Sequence, residues 1–483
     1  MREQGLKKKV LSGLVWKFGE RIGAQAVSFI VSMVLARLLL PEDYGVVTMI
    51  TIFIEIANVF VVSGFGQSLI QKKDADNLDF SSVFYFSVTM SWALYLIVFL
   101  AAPAAAGFYK EPLLTPMLRV MALKLPLAGV NSVQQAYVQK HMIFKRFFYS
   151  TLIGTVVSAV VGIVMAYQGY GAWALVAQYL TNSTMDTVIL WITVKWRPDF
   201  RFSLSRMKSM FSFGWKMLVT ELINTTYKQI RGLVIGKLYS KQDLAYYNQG
   251  QKLPNVIVTN LNSSIGSVLF PAMTTKQDDK PGLKKMVRLS IQVGSYIMWP
   301  LMIGLCVLAK PVIILIFSER WLFCVPFMQI ACIQYALEPV QTANLQAVKA
   351  LGKGRTMLIM EILKKGFGLV TLIAVMNQGV MWIAWTGMVV TFFATLVNTT
   401  PNRKYLDYTI KEQLQDLLPS IVLSAIMGAV VFLVGCILPL PTLVLLPVQV
   451  MAGVITYIGL SAVCRLSTFQ YVLETGKKII KRK

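Results

Sequence analysis

The chain has 483 residues, of which 56% are hydrophobic and only 14% charged, and its formal net charge is +25. Such a positive charge makes nucleic acid a candidate partner, and the positions of the basic residues decide whether it is one. A single histidine and five cysteines without a CxxC pair give no zinc or disulfide pattern, so no metal site is predicted.

Apolar segments long enough to cross a bilayer recur along the whole chain. A spanning helix needs roughly 20 mostly apolar residues, because it must satisfy its own backbone hydrogen bonds across about 30 Å of hydrocarbon. This pattern predicts an all-α integral membrane protein with about fourteen spans. They are placed at 13–40, 43–71, 80–107, 114–139, 147–167, 171–194, 210–239, 249–275, 288–309, 323–349, 354–376, 379–399, 416–437 and 441–463.

Basic residues are distributed unevenly between the connectors of these spans. Most of the Lys and Arg residues fall in the N-terminus, the even-numbered connectors and the tail, whereas the opposite connectors hold only Lys110, Lys241, Lys310 and Arg320. Cytoplasmic loops of membrane proteins carry such an excess of Lys and Arg. We therefore predict both termini in the cytoplasm and the chain in the inner membrane. The positive charge then indicates orientation and contact with membrane lipids, and no nucleic-acid partner is predicted.

The chain shows an internal repeat. Trp16 and Asp43 recur about 200 residues later as Trp215 and Asp243, and a second set of landmarks recurs at an offset of about 210. Parallel repeats that enclose a central site are a known transporter plan. We predict two pseudo-symmetric six-helix lobes followed by a helix pair. Their ranges are 1–195 for the N-lobe, 196–400 for the C-lobe, and 401–483 for the C-terminal pair with a basic cytoplasmic tail.

Ionisable residues inside the spans are the candidates for a functional site, because each costs about 2.5–3.5 kcal/mol at the bilayer centre. Span 7 places a set of polar residues on one helix face by its spacing of three and four. The predicted cavity is cationic and fits an anionic, hydroxyl-rich ligand such as a sugar phosphate. Its residues are Lys17, Arg21, Arg119, Lys124, Lys216, Asn224, Lys228, Arg231, Lys252, Asn255 and Lys364. The acids Glu20, Asp186, Glu221 and Glu361 are candidates for ion coupling, and Glu361 is also placed to pair with Lys365.

Four segments resemble the Wzx-type oligosaccharide flippases, a polysaccharide-transporter branch of the superfamily that also contains MATE drug exporters and lipid II flippases. The matching residues are 35–45, 68–74, 268–279 and 317–326. They look closest to colanic-acid-exporter-like members. The resemblance implies a MATE-like fold that moves undecaprenyl-diphosphate-linked oligosaccharide across the inner membrane by alternating access.

The alternatives differ in what they require of the sequence. A MATE-like ion-coupled exporter of small molecules, or of another lipid-linked precursor, shares the fold, but an exporter of cations needs an acidic cavity. An enzyme acting on the same lipids needs a catalytic domain or a large external loop, and neither is predicted, nor is any catalytic residue. We expect no cofactor, with H⁺ or Na⁺ as the candidate coupling ion. The polysaccharide polymerase and export machinery are the candidate protein partners.

Overall fold

The computed structural model describes residues 2–63 and 65–481. Some side chains on helices fall outside this description, and they belong to residues 2–15, 17, 18, 21, 22, 212, 213, 264, 265, 267, 268, 475, 476 and 478–481. Every regular element of the described residues is a helix, as the sequence predicts. The chain divides into two compact units, Met1–Ala245 and Tyr246–Lys483. The predicted lobe boundaries refer to the repeat, and they stay predictions.

The first unit contains nine helices of the described residues and the start of a tenth. They are α1 (Arg2–Leu38), α2 (Pro41–Val62), α3 (Phe65–Gln71), α4 (Asn77–Tyr109), α5 (Leu114–Met121), α6 (Lys124–Lys140), α7 (Lys145–Tyr167), α8 (Ala172–Thr193), α9 (Leu204–Leu238) and α10 (Lys241–Thr274). Helix α7 packs against α1 and α8, and α6 packs against α4 and α8. A core cluster that includes Phe65, Phe80 and Trp196 joins α3, α4 and the segment after α8.

The second unit continues with α10 and contains the remaining helices. They are α11 (Lys280–Val307), α12 (Ala309–Ile316), a 3₁₀ helix (Glu319–Cys324), α13 (Val325–Ala336), α14 (Glu338–Ala350), α15 (Gly354–Val375), α16 (Val380–Leu406), α17 (Ile410–Ile437), α18 (Thr442–Val463) and α19 (Ser467–Lys481). Helix α17 packs between α11 and α18. The tail, for which the sequence predicts only basic character, forms the helix α19.

Eight helical segments of the described residues are long and apolar enough to cross a membrane, so the chain is a multi-pass membrane protein. They are Pro41–Gln71, Asn77–Tyr109, Lys145–Tyr167, Lys280–Val307, Glu319–Ala350, Val380–Leu406, Ile410–Ile437 and Thr442–Val463. The other six predicted spans fall on α1, α5 with α6, α8, α9, α10 and α15, which are richer in polar residues. Every predicted site residue lies on one of these six, and the total of fourteen spans stays a prediction.

Two of the predicted spans are interrupted just before a proline, where the sequence pattern suggests continuous helix. The span at 114–139 breaks between α5 and α6, and the span at 323–349 breaks at Leu337. Pro126 and Pro339 lie in the first turn of the second segment in each case. Proline lacks an N–H donor and its ring clashes with the carbonyl four residues earlier, so a helix ends just before it. Each break places an ionisable residue, Lys124 or Glu338, at the start of the new helix.

Side-chain caps fix several helix starts. Asp76 accepts from the Asp79 backbone at 2.9 Å and caps α4, while Thr409 and Glu412 form a capping box at α17. Asp279 accepts at 2.9 Å from the backbone N–H of Gly282 at the start of α11. That hydrogen bond, together with the Lys276 ammonium, lowers the pKa of the Asp279 carboxyl. These polar caps occur at the helix ends where the sequence predicts connectors.

Candidate functional site

The polar stripe predicted on span 7 forms on α9. Lys216, Asn224 and Lys228 are exposed within the chain, and so is the acid Glu221 on an adjoining face. Thr220 donates to the Lys216 carbonyl at 2.8 Å, so its hydroxyl is satisfied inside the helix. The stripe thus presents amide and ammonium groups on one exposed face of α9.

Arg231 is the least exposed of the cations on this stripe. Its Nε and Nη2 atoms are buried and have no hydrogen-bond partner among the described residues. Leaving a buried charged donor unpaired costs several kcal/mol, so native structures rarely tolerate one. An anionic oxygen of a bound ligand would remove that cost. The planar guanidinium can bind two oxygens of one phosphate at once.

Lys124 belongs to a second polar group in the same unit. Its ammonium lies 5.6 Å from the centre of the Tyr179 ring and interacts electrostatically with Glu55. Glu55 in turn accepts a hydrogen bond from Gln229 on α9. Glu55 and Tyr179 were not among the predicted site residues, because their contacts come from helices distant in sequence. A carboxylate beside Lys124 makes this group less cationic than the sequence suggests.

Two of the three acids predicted for ion coupling in the first unit, Asp186 and Glu20, are engaged with neutral side chains, and the third is the exposed Glu221 on α9. Asn131 on α6 donates to Asp186 on α8 at 2.7 Å. Thr151 on α7 donates to Glu20 on α1 at 3.1 Å. Both contacts join neighbouring helices and leave carboxylates that accept from uncharged donors.

Arg119 is held by the protein itself. Its Nε donates to the Phe99 carbonyl at 3.2 Å, and its guanidinium lies 4.3 Å from the Phe99 ring centre. The contact ties α5 to α4 and gives Arg119 a packing role. The side chains of Lys17 and Arg21 lie outside the described residues, so their predicted role stays a prediction.

In the second unit, Lys364 pairs with an acid on its own helix. Its ammonium is 2.5 Å from Glu361, and Lys365 is 3.9 Å from the same carboxylate, which confirms the predicted Glu361–Lys365 pairing. Glu338, at the break before α14, accepts from Asn262 at 3.3 Å and interacts electrostatically with Lys364. Glu338 was not predicted as a site residue. The neighbouring Pro339 is the sequence signal that could have marked it.

The remaining predicted cavity residues lie on α10. Lys252 and Asn255 are exposed within the chain, and Thr259 donates to the Asn255 amide oxygen at 3.3 Å. Residues on α10 therefore continue the amide and hydroxyl character predicted for the site. Among the described residues, no group of three or more His, Cys, Asp or Glu side chains could hold a metal ion.

An apolar cavity of about 520 Å³ lies within the second unit between α11, α17 and α18. Pro300, Gly304 and Gly453 open the space because they lack long side chains, and Gln449 is the main polar group in its lining. The amide Nε2 of Gln449 donates to the Val431 carbonyl at 3.0 Å. This lining suits a hydrocarbon chain better than a hydrated molecule.

Two turns of the first unit, the one before α2 and the one between α9 and α10, contact each other. Lys241, which begins α10, is 2.9 Å from Glu111 and 3.9 Å from Glu42, and Gln242 donates to Glu42 at 2.7 Å. The backbone approach is close, because a Cβ atom on Gly45 would lie 2.1 Å from the Lys241 carbonyl oxygen. The turns at 41–43 and 240–244 are thus in direct contact.

Comparison with known families gives one clear match. The model of the family described as "Polysaccharide biosynthesis protein" matches residues 34–326, more than half of the chain. The matched region covers the helices from the end of α1 to the start of α13.

Three curated relatives share about a quarter of their residues with this chain. The succinoglycan biosynthesis transport protein ExoT of Rhizobium meliloti (strain 1021) is 24% identical over 72% of this chain and 70% of its own length. The teichuronic acid biosynthesis protein TuaB of Bacillus subtilis (strain 168) is 23% identical over 98% and 99%. The lipopolysaccharide biosynthesis protein WzxC of Escherichia coli (strain K12) is 24% identical over 69% and 68%.

Solved structures share the fold. The lipid II flippase MurJ in an inward closed conformation superposes with a TM-score of 0.73 at 12% identity, over 93% of this chain and 98% of its own. An inward-facing multidrug resistance MATE family transporter of the MOP superfamily gives 0.60 at 14% identity, over 80% and 96%. At these identities the likeness shows the fold alone, and that fold is the one used by transporters of this superfamily.

Proposed function

The chain belongs to the polysaccharide biosynthesis protein family, and from that premise we propose that it is a flippase for a lipid-linked oligosaccharide. Its substrate would be an undecaprenyl-diphosphate-linked repeat unit, carried across the inner membrane for polysaccharide export. The names of the relatives support the substrate class, because they refer to the biosynthesis or transport of succinoglycan, teichuronic acid and lipopolysaccharide. The transporter fold supports translocation rather than chemical conversion.

The observation that carries this proposal is the pair of buried guanidinium nitrogens of Arg231, Nε and Nη2, which have no hydrogen-bond partner among the described residues. A diphosphate brings about two negative charges, and charge-assisted hydrogen bonds are roughly twice as strong as neutral ones. Lys228 lies three residues before Arg231 on the α9 stripe, close to the 3.6-residue turn of the helix, and it is exposed. We assign Arg231 to bidentate phosphate contact and Lys228 to longer-range attraction. The amide of Asn224 would face the sugar.

The apolar cavity between α11, α17 and α18 supports a substrate that carries a lipid tail as well as a charged headgroup. A polyprenyl-linked substrate has a long hydrocarbon tail that must stay out of water while its headgroup crosses. The cavity is lined almost wholly by apolar side chains, which lose nothing by contact with a lipid tail. A water-soluble drug would have no need of such a surface.

Transport would proceed by alternating access of the two predicted lobes. The predicted ion-coupling acids differ in their surroundings, since Glu361 is paired with lysines while Asp186 and Glu20 accept from neutral donors. An acid that accepts hydrogen bonds from uncharged donors can take up a proton without leaving a charged partner unpaired. We therefore favour Asp186 over Glu361 as the site for a coupling H⁺ or Na⁺.

The experiment compares two arginines that differ in what they contact. We expect Arg231→Ala to abolish glycan export in a flippase-deleted strain while the protein stays in the membrane at normal abundance. Arg231→Lys should restore little, because lysine cannot bind two oxygens in a fork, whereas Lys228→Arg should be tolerated.

Arg119→Ala is the matched control. Its loss should lower thermal stability, because Arg119 binds the Phe99 carbonyl, and any loss of export should follow the loss of folded protein. Normal export by Arg231→Ala at normal abundance would refute the assignment. Export of a cationic dye instead of glycan would favour the small-molecule exporter.

A further inference from the structure

The connector between α8 and α9 presents an unusual surface. Phe200 is 99% exposed, Leu204 is 73% exposed and Phe202 is 52% exposed. A water-facing loop normally exposes its polar groups and buries its aromatic ones. Here the aromatic side chains point outward from a segment of only a few residues.

The connector is nevertheless firmly fixed to the start of α4. The Trp196 indole donates to the Asn77 amide oxygen at 2.6 Å, and Asn77 donates to Asp199 at 2.6 Å. The backbone N–H of Asp199 donates to the Ser81 hydroxyl at 2.9 Å, and that of Ser203 donates to the Ser82 hydroxyl at 3.0 Å. The polar groups of the connector thus form hydrogen bonds with the start of α4. Its exposed aromatic side chains therefore belong to a fixed surface.

The position of this surface relative to a bilayer follows from the length of α4. With 33 residues, α4 is roughly 50 Å long, whereas a bilayer is about 40–45 Å thick with its headgroups. The first turn of α4, where the connector is attached, therefore reaches the level of the headgroups. Aromatic side chains are enriched at that level, because their rings contact both the hydrocarbon and the polar headgroups.

Basic residues surround the exposed aromatic side chains. Lys195, Arg201 and Lys208 are exposed, while Arg206 is occupied by an ion pair with Asp79 at 3.2 Å. The acid in the connector, Asp199, is also exposed and accepts a hydrogen bond from Asn77, so the three cations outnumber it. The outward charge is thus positive, and it complements a leaflet of anionic phospholipids.

We propose that Phe200, Phe202 and Leu204, with Lys195, Arg201 and Lys208, form a docking surface for the anionic lipid leaflet. The aromatic side chains enter the headgroup region and the three cations bind lipid phosphates. This surface anchors the start of α9, the helix that carries the polar stripe and Arg231. The inference concerns the bilayer, and it holds whichever substrate is carried.

The test places an environment-sensitive fluorophore on Phe200→Cys, in a chain without its five native cysteines, in lipid nanodiscs. We expect brominated lipids to quench the label, and roughly twofold more strongly with phosphatidylglycerol present than with phosphatidylcholine alone. A triple Lys195→Gln, Arg201→Gln, Lys208→Gln variant should lose the phosphatidylglycerol effect and keep its thermal stability. Asp278→Cys, in the polar connector between α10 and α11, is the matched label site and should not be quenched.

Two results would overturn the proposal. Equal quenching in both lipid compositions would show that the cations do not recognise anionic lipid. A Phe200→Cys label that stays accessible to an aqueous quencher in both compositions would show that the aromatic residues stay in water, and would indicate a protein partner for this surface.

Discussion

The Asp79 carboxylate accepts from the Arg206 guanidinium at 3.2 Å and joins the first turn of α4 to the first turn of α9. The same connection recurs about 210 residues further along with its charges exchanged. Arg288 on α11 is 2.7 Å from Asp416 on α17. In both places an ion pair joins two helices, with the acid on the earlier helix in the first pair and on the later helix in the second.

Removal of Asp79 should destabilise the first unit. The side chain is fully buried, binds Lys72 at 2.6 Å as well as Arg206, and also closes the capping box of α4. We expect Asp79→Ala to lower the free energy of unfolding by about 2 kcal/mol, because Lys72 loses its carboxylate, Arg206 keeps only Asp76, and the capping box of α4 is lost. Thermal unfolding of the purified protein in detergent measures this loss. Lys276→Ala removes an exposed pair and serves as the control, with an unchanged melting temperature.

Gly45 should not tolerate a methyl group. Its Cβ position lies 2.1 Å from the Lys241 carbonyl oxygen, so Gly45→Ala must push α2 away from the start of α10. We expect a destabilisation of about 1–3 kcal/mol. Gly107→Ala on α4 is the matched control, because nothing lies within 4 Å of its Cβ position, and it should be neutral or slightly stabilising. Equal melting temperatures for the two variants would contradict the close packing.

A disulfide between Glu42→Cys and Lys241→Cys should block export until it is reduced. The two side chains are 3.9 Å apart in this structure, and alternating access requires their turns to separate when the transporter opens to the outside. Export of labelled glycan by cells, measured before and after a reducing agent, tests this. Each single cysteine variant under the same oxidation is the control. Full export with the bridge formed would require a different motion.

Glu361→Gln should increase the affinity for inorganic pyrophosphate, a probe for the diphosphate headgroup. The Glu361 carboxylate holds Lys364 at 2.5 Å and so competes with any other anion for that ammonium. We expect a gain of several-fold, up to the roughly tenfold that corresponds to 1.4 kcal/mol. Isothermal titration of the purified protein measures it. Glu474→Gln, on the exposed part of α19, should bind as the native chain does. An unchanged affinity in both variants would remove Lys364 from the headgroup site.

Cysteine labelling tests the predicted topology. A membrane-impermeant maleimide added from the periplasmic side should reach Ser240→Cys in the α9–α10 turn and should not reach Ser205→Cys at the start of α9. Both serines are exposed within the chain, so accessibility depends on the side of the membrane. The reverse pattern would place both termini outside the cytoplasm.

The class of the protein and the face of α9 that carries its polar residues could both be predicted from the amino-acid sequence. Long apolar segments and a helical period of 3.6 are local properties, so hydropathy and spacing suffice to predict them. The family resemblance rested on short motifs, and the match over residues 34–326 confirms it. The hydropathy pattern did not predict the breaks before Lys124 and Glu338, although the sequence contains Pro126 and Pro339 at these places.

Which of the predicted cations are already bound within the protein became clear from the packing of the helices. Arg119 is engaged by the Phe99 carbonyl and Lys364 by Glu361, while two guanidinium nitrogens of Arg231 have no partner among the described residues. Equal spacing on a helix cannot separate these cases, because most partners come from other helices, such as Phe99 for Arg119 and Glu55 for Lys124. The free energy of a buried charge depends on those partners, so the choice of Arg231 as the phosphate contact required the packed helices.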